Sequence, residues 1–329
     1  MKTHAFFSAV LALWAPFAAT AAGIDAELVR ADGWVKWEVP VAQDAGTMCC
    51  LENDAGRRSG ATCDLDARSW TFRTTDEVKN GPGETLSVYA RVTGGKVDRV
   101  RALSSWCPVT AKGTVRELAG VSPDDSVAWL ARYAGTGKPE ADHGSAAIAY
   151  HATPAATKAL AGLAGTEHAQ DIRQSALFWL GQRRGAEGMA VVERFATRDG
   201  DPEIREHAVF VLSQAHDGEG YARILSIAGS DNSEEVRSKA LFWMAQMHDR
   251  RAAADIAAAI RRDTSDDVRE QGVFALSQLD EGADKALIGI IRGDYPRSAK
   301  EKALFWLGQS GSDEALAFLD EVLSKNGKH

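Results

Sequence analysis

Two patterns of apolar and polar residues divide the chain. Between Gly23 and about Ser122 the runs Trp34-Val35-Lys36-Trp37-Glu38-Val39 and Trp70-Thr71-Phe72-Arg73 alternate, the period of half-buried strands. Leu86 to Val92 and Val97 to Leu103 are two more such runs, joined by Thr93-Gly94-Gly95-Lys96. A Gly-Gly pair supplies the positive φ angles of a tight turn, so these strands are expected to form a hairpin. Residues 54–60 and 80–83 read as loops. From Ser122 onward the apolar spacing changes to three and four, which predicts helices to the end of the chain.

The helical part opens on Ser122-Pro123-Asp124-Asp125: a cap, a proline at the first turn, and carboxylates at the positive end of the dipole. The helices that follow alternate between an A and a B type. A helices are expected near 123–134, 154–165, 186–198, 218–229, 250–262, 282–292 and 313–325, and B helices near 141–151, 170–182, 202–215, 234–247, 266–279 and 297–309. The B helices carry one recurring motif. It reads Ala176-Leu177-Phe178-Trp179-Leu180-Gly181-Gln182 first and Ala303-Leu304-Phe305-Trp306-Leu307-Gly308-Gln309 last, with copies around Phe210, Phe242 and Phe274. The phenylalanines step by 32, 32, 32 and 31 residues. A period of that size, one supersecondary unit per repeat, marks a solenoid, an architecture that usually serves as a surface for partners. The first B helix, with Ala147-Ile148-Ala149-Tyr150-His151, is a degenerate copy.

A second series runs beside the first. Asp199, Asp231, Asp263 and Asp294 each precede Arg205, Arg237, Arg269 and Lys300 by six residues, and Glu167 with Arg173 is an earlier echo. With Ile204-Arg205, Val236-Arg237 and Val268-Arg269 opening the B helices, the pattern resembles the HEAT repeat, in particular its bacterial phycobilin-lyase-like variety. The resemblance covers about 200 residues. It implies a right-handed α-α superhelical solenoid of about six repeats, with the acidic and basic residues forming an inter-repeat ladder and the B helices lining the concave face. Ala299 and Lys300 depart from the pattern in the last repeat. The N-terminal part is similar to the cysteine-containing domain that precedes such repeats in some exported bacterial proteins. The expected fold class is therefore mainly α: residues 23–121 as a small disulfide-bonded β-rich domain, and residues 122–329 as the solenoid.

Charge and cysteines narrow the setting. The net charge of −8 lacks the clustered cations that nucleic acid requires. Lys2, an apolar run from Ala5 to Phe17 and the small residues Ala19-Thr20-Ala21-Ala22 form the three parts of a secretory signal peptide over residues 1–22. The run is too short to span a membrane, so a periplasmic or secreted chain is expected. Cys49, Cys50, Cys63 and Cys107 are even in number, which in an exported chain points to disulfides. A bridge between the neighbours Cys49 and Cys50 would be strained. This leaves Cys49 with Cys63 and Cys50 with Cys107, or the crossed pairing. A redox or metal role for Cys49-Cys50 is the alternative.

A helical wheel places Ile204, Ala208, Val211 and Leu212 on one face of the third B helix and Phe210 on the other, beside Gln214. Helices stacked about 8–10 Å apart would line up Phe178, Phe210, Phe242, Phe274 and Phe305 over about 40 Å, flanked by Gln182, Gln214, Gln246, Gln278 and Gln309. Aromatic anchors beside amide donors and acceptors suit an extended peptide or a partner helix. The alternative is internal packing, with each Phe leaning on its neighbouring repeat and each Gln satisfying a loop. Trp179, Trp243 and Trp306 fall at the edge of the core face and are expected to pack there. Metalloprotease, nucleophile-elbow and phosphate-loop motifs are absent from the sequence, and the histidines lack metal spacing. The expectation is a monomeric, non-enzymatic scaffold without cofactor that binds a protein or peptide. Ligand handling or lyase activity, by analogy with the bilin lyases, is the alternative.

Overall fold

The computed structural model describes residues 21–42, 46–50, 62–67, 72–75, 84–138, 142–215 and 219–326. Residues 1–20 of the expected signal segment, and Trp70 of the expected second strand, lie outside them. The chain is mainly helical with a small sheet region. It divides into two compact units, one running to Arg132 and including His151–Thr153, the other formed by Tyr133–Tyr150 and Pro154 onward.

The first unit contains α1 (Ala21–Val29), β1 (Gly33–Pro40), β2 (Thr47–Cys50), β3 (Cys63–Asp64), β4 (Phe72–Thr75), β5 (Thr85–Thr93), β6 (Lys96–Ser104), β7 (Val109–Thr110), β8 (Val115–Glu117) and most of α2 (Pro123–Ala134). Four strands form a sheet in the order β6-β5-β1-β8, antiparallel except for the β1–β8 pair. The Gly94-Gly95 turn, both residues at positive φ, closes the hairpin with Thr93 opposite Lys96. Trp34, Cys63, Leu65, Tyr89, Leu103 and Cys107 form a core cluster. Elsewhere in the unit Trp37 meets Trp129 of α2 edge-on at 5.4 Å and donates through Nε1 to Ser126 Oγ at 2.8 Å. The sequence reading placed α2 with the solenoid, whereas in the structure Ser126 and Trp129 complete this apolar layer.

α1 is a correction, because strand was expected from Gly23 onward. Ile24 and Leu28, one helical turn apart, are buried together, and Asp25 accepts from Trp129 Nε1 at 2.8 Å. Cys49 is bridged to Cys107, the crossed one of the two pairings, and Cys63 is also disulfide-bonded. Cys49 and Cys107 are separated by 58 residues, which in the chain-entropy account corresponds to about 4 kcal/mol of stabilisation.

The second unit is a helical repeat. Its helices are α3 (Asp142–Tyr150), α4 (Pro154–Leu163), α5 (Gln170–Arg183), α6 (Gly185–Arg198), α7 (Pro202–Ser213), α8 (Tyr221–Ser230), α9 (Glu234–Gln246), α10 (Ala252–Arg262), α11 (Asp266–Ser277), α12 (Ala283–Arg292), α13 (Arg297–Ser310) and α14 (Asp313–Asn326). Each even-numbered helix from α4 to α12 packs against the odd-numbered B helix after it, α14 packs on α12 and α13, and each B helix packs on the next, from α3 on α5 through to α11 on α13. Local chemistry sets the starts. The Asp201 side chain accepts from the Glu203 N–H, Ser233 from Val236 and Ser265 from Val268, so α7, α9 and α11 begin on satisfied caps. In α7 Ile204, Ala208, Val211 and Leu212 are buried, which leaves the face carrying Phe210 half-covered.

Candidate functional site

The Asp and Arg series takes a definite geometry. Arg205 forks onto Asp231 with two bonds of 2.8 Å, and its third nitrogen donates to the Asp199 carbonyl at 2.9 Å. Arg237 repeats this on Asp263 (2.7 and 3.0 Å) and on the Asp231 carbonyl (2.9 Å). Arg173 reaches Asp199 at 2.5 Å. Each arginine thus takes the carboxylate of the following repeat and the backbone of its own. Oδ1 of each aspartate also accepts the N–H two residues on, at Asp201, Ser233 and Ser265. Burial pushes the Asp231 and Asp263 carboxyls up. The hydrogen bonds and charges of Arg205 and Arg237 outweigh it and hold both below the usual carboxylate range.

The series changes at Asp294. Two residues on stands Pro296, which has no N–H to hold the carboxylate, and Asp294 is exposed. Arg269 turns instead to Asp266 of its own helix at 2.8 Å, and its Nε is buried without a hydrogen-bond partner. Lys300 sits half-buried in α13.

The B helices bring the phenylalanines together through the tryptophans. Phe210 meets Trp243 at 4.9 Å, Trp243 meets Phe242 at 5.1 Å, and Phe242 stacks on Phe274 at 6.3 Å with ring planes 8° apart. Phe274 then meets Trp306 at 5.2 Å, which meets Phe305 at 5.2 Å. Phe178, Trp179 and Tyr150 form a group of their own. Trp243 and Trp306 therefore bridge one B helix to the one before and belong to the row. Phe178, Phe210, Phe242 and Phe274 are half-buried, while Phe305, at the end of the row, is 54% exposed.

Gln182 is half-buried and Gln214, Gln246, Gln278 and Gln309 are exposed. Gln214 and Gln278 donate to Ser213 and Ser277, whose hydroxyls donate to the Phe210 and Phe274 carbonyls at 2.7 Å. The small residue next to each glutamine has a packing reason in the first repeat. A Cβ on Gly181 would collide with the Val211 side chain of α7.

Beside the Phe242–Phe274 stack the face opens into a recess of about 430 Å³. Its walls carry Glu206 of α7, Glu234, Glu235 and Lys239 of α9, and Asp267 of α11. Burial raises the Glu206 carboxyl, Lys239 opposes this, and Glu235 and Glu203 add to it. His207, against the Phe210 ring at 5.7 Å, donates through Nε2 to the Gln174 carbonyl, and burial lowers its pKa. Glu235 and Asp267 share one position of the 32-residue repeat, after Asp171 and Glu203, and the sequence reading placed Glu206 one turn before Phe210 but gave none of these acids a role.

No family model matches the chain, and no curated protein does. Among solved structures the chain is similar to human deoxyhypusine hydroxylase in complex with glycerol, at 16% identity over 55% of this chain and 83% of that one, with a TM-score of 0.30. Deoxyhypusine hydroxylase is an enzyme, which corrects the expectation, drawn from missing catalytic motifs, that a chain of this kind is not one. A likeness at that TM-score assigns no reaction.

Proposed function

We propose that the helical unit is a right-handed HEAT-like solenoid whose B-helix face holds an extended peptide or partner helix, in a protein that is exported and oxidised. The observation that carries this reading is the unbroken aromatic row from Phe210 to Phe305. It crosses four consecutive B helices, with its phenylalanines only half-covered along the way and open at the end. Rings that only packed repeats together would be buried like Leu212, Met244 and Leu276 on the opposite face, each at 0% exposure. The disulfide between Cys49 and Cys107 is consistent with an oxidising compartment. Among the described residues no helix is long and apolar enough to cross a membrane.

The test is Phe242→Leu combined with Phe274→Leu, which keeps apolar volume and removes the ring faces. Crosslinking in the exporting compartment should recover a partner with the native chain and lose it with the variant, at an unchanged thermal midpoint. Equal recovery by both chains, or a variant that unfolds, would return the row to internal packing.

A further inference from the structure

The recess beside Phe242 and Phe274 carries four carboxylates and one ammonium, Lys239, around an aromatic pair. Three of the acids have an ordinary explanation. Glu234, Glu235 and Asp267 lie in the first turns of α9 and α11, where negative charge complements the helix dipole. Glu206 does not share it. It sits in the second turn of α7, half-buried, next to the row of rings and across from Glu235. A half-buried carboxylate facing further carboxylates is unfavourable when the groove is empty and becomes favourable when a cation enters. The ring pair acts in the same direction, because an ammonium or guanidinium within about 6 Å of an aromatic centroid is attracted by the face of the ring. The apolar floor alone would accept any apolar side chain, whereas the walls select by charge.

We propose that the segment seated at Phe242 and Phe274 is cationic, a peptide presenting lysine or arginine side chains to the ring pair and to Glu206, Glu235 and Asp267. This rests on the groove reading above and names the chemistry of its partner.

The experiment uses the full chain and two fluorescent peptides of equal length, one alternating arginine with leucine and the other with citrulline at every arginine. Citrulline keeps the shape and removes the charge. Fluorescence anisotropy should show the arginine peptide binding at least about tenfold more tightly at low salt, with the advantage shrinking as salt rises. The combined variant Glu206→Gln, Glu235→Gln and Asp267→Asn should lose that advantage while remaining folded and keeping its affinity for the citrulline peptide. If both peptides bind equally, and both lose affinity on Phe242→Leu with Phe274→Leu, the groove stands and the charge assignment is overturned. An arginine advantage that survives the three neutral substitutions also overturns it. Binding of neither peptide overturns the groove and the charge assignment together.

Discussion

Replacing Arg237 by methionine isolates one rung of the ladder. The methionine retains much of the stem packing and removes three hydrogen bonds, two to the Asp263 carboxylate and one to the Asp231 carbonyl. What remains is a carboxylate whose side chain is 9% exposed, hydrogen-bonded by the Ser265 N–H and with only the charge of Arg269 acting on it. Stripping one partner from a buried ion pair typically costs about 3–5 kcal/mol, chiefly as the penalty of the charge left behind. With Arg237 itself 13% exposed, water still reaches the edge of the pair, so the lower end, about 3 kcal/mol, is expected. In urea unfolding followed by helix ellipticity this corresponds to a midpoint lowered by roughly 1–2 M. Adding Asp263→Asn removes the stranded charge and keeps an oxygen for the Ser265 N–H. The double variant should therefore recover to within about 1–2 kcal/mol of the native chain. Arg269→Met is the internal control. Arg269 occupies the same place in its repeat but pairs with Asp266, which is 66% exposed, so its loss should cost about 1 kcal/mol or less. The reasoning fails if Arg237→Met costs no more than Arg269→Met, or if the double variant is no more stable than the single one.

The same rungs set an acid limit. The Asp231 and Asp263 carboxyls lie below their ordinary values in the folded chain, so their stabilisation is complete above the unfolded carboxylate pKa of about 4 and is lost as pH falls through the folded values. Urea midpoints measured downward from pH 5 should fall steeply for the native chain and less steeply for the Arg237→Met, Asp263→Asn variant. Replacing Cys49 and Cys107 together by alanine should destabilise the first unit by about 2–5 kcal/mol, read from thermal unfolding under non-reducing conditions. Gly181→Ala places a methyl group against Val211 and should cost about 1–3 kcal/mol, whereas Gly308→Ala, with open space around it, should be neutral or slightly stabilising. Equal melting temperatures for the two glycine variants would contradict the close approach of α5 and α7.

Much of the helical unit was legible in the amino-acid order because its signals are local. The three-and-four spacing, the Ser122-Pro123 helix start and a period of 32 residues each act within a turn or one repeat. They placed the helix starts of α3 to α14 within about three residues of where they lie. The Gly94-Gly95 hairpin was readable for the same reason. α1 was missed because a single buried pair, Ile24 and Leu28, is too short a pattern to stand out ahead of a strand-rich stretch.

What the order of residues left open was always a choice between contacts that a periodic chain makes equivalent. An arginine six residues after one aspartate is also twenty-six before the next. Stacking of the B helices decided that the carboxylate comes from ahead and only the carbonyl from behind. It also drew Trp243 and Trp306 into the aromatic row, since a side chain at the edge of one helix lies over the neighbouring helix once the two are 8–10 Å apart. The shortened turn with Pro296 interrupted the ladder by removing one N–H, a consequence visible only once Asp231 and Asp263 are seen to depend on that bond. Glu235 and Asp267 share one position of the 32-residue repeat, which puts them on the same side of their helices, but only stacking brought them and Glu206 around one ring pair. Periodicity determined which residues face which side, and tertiary stacking decided which of them meet.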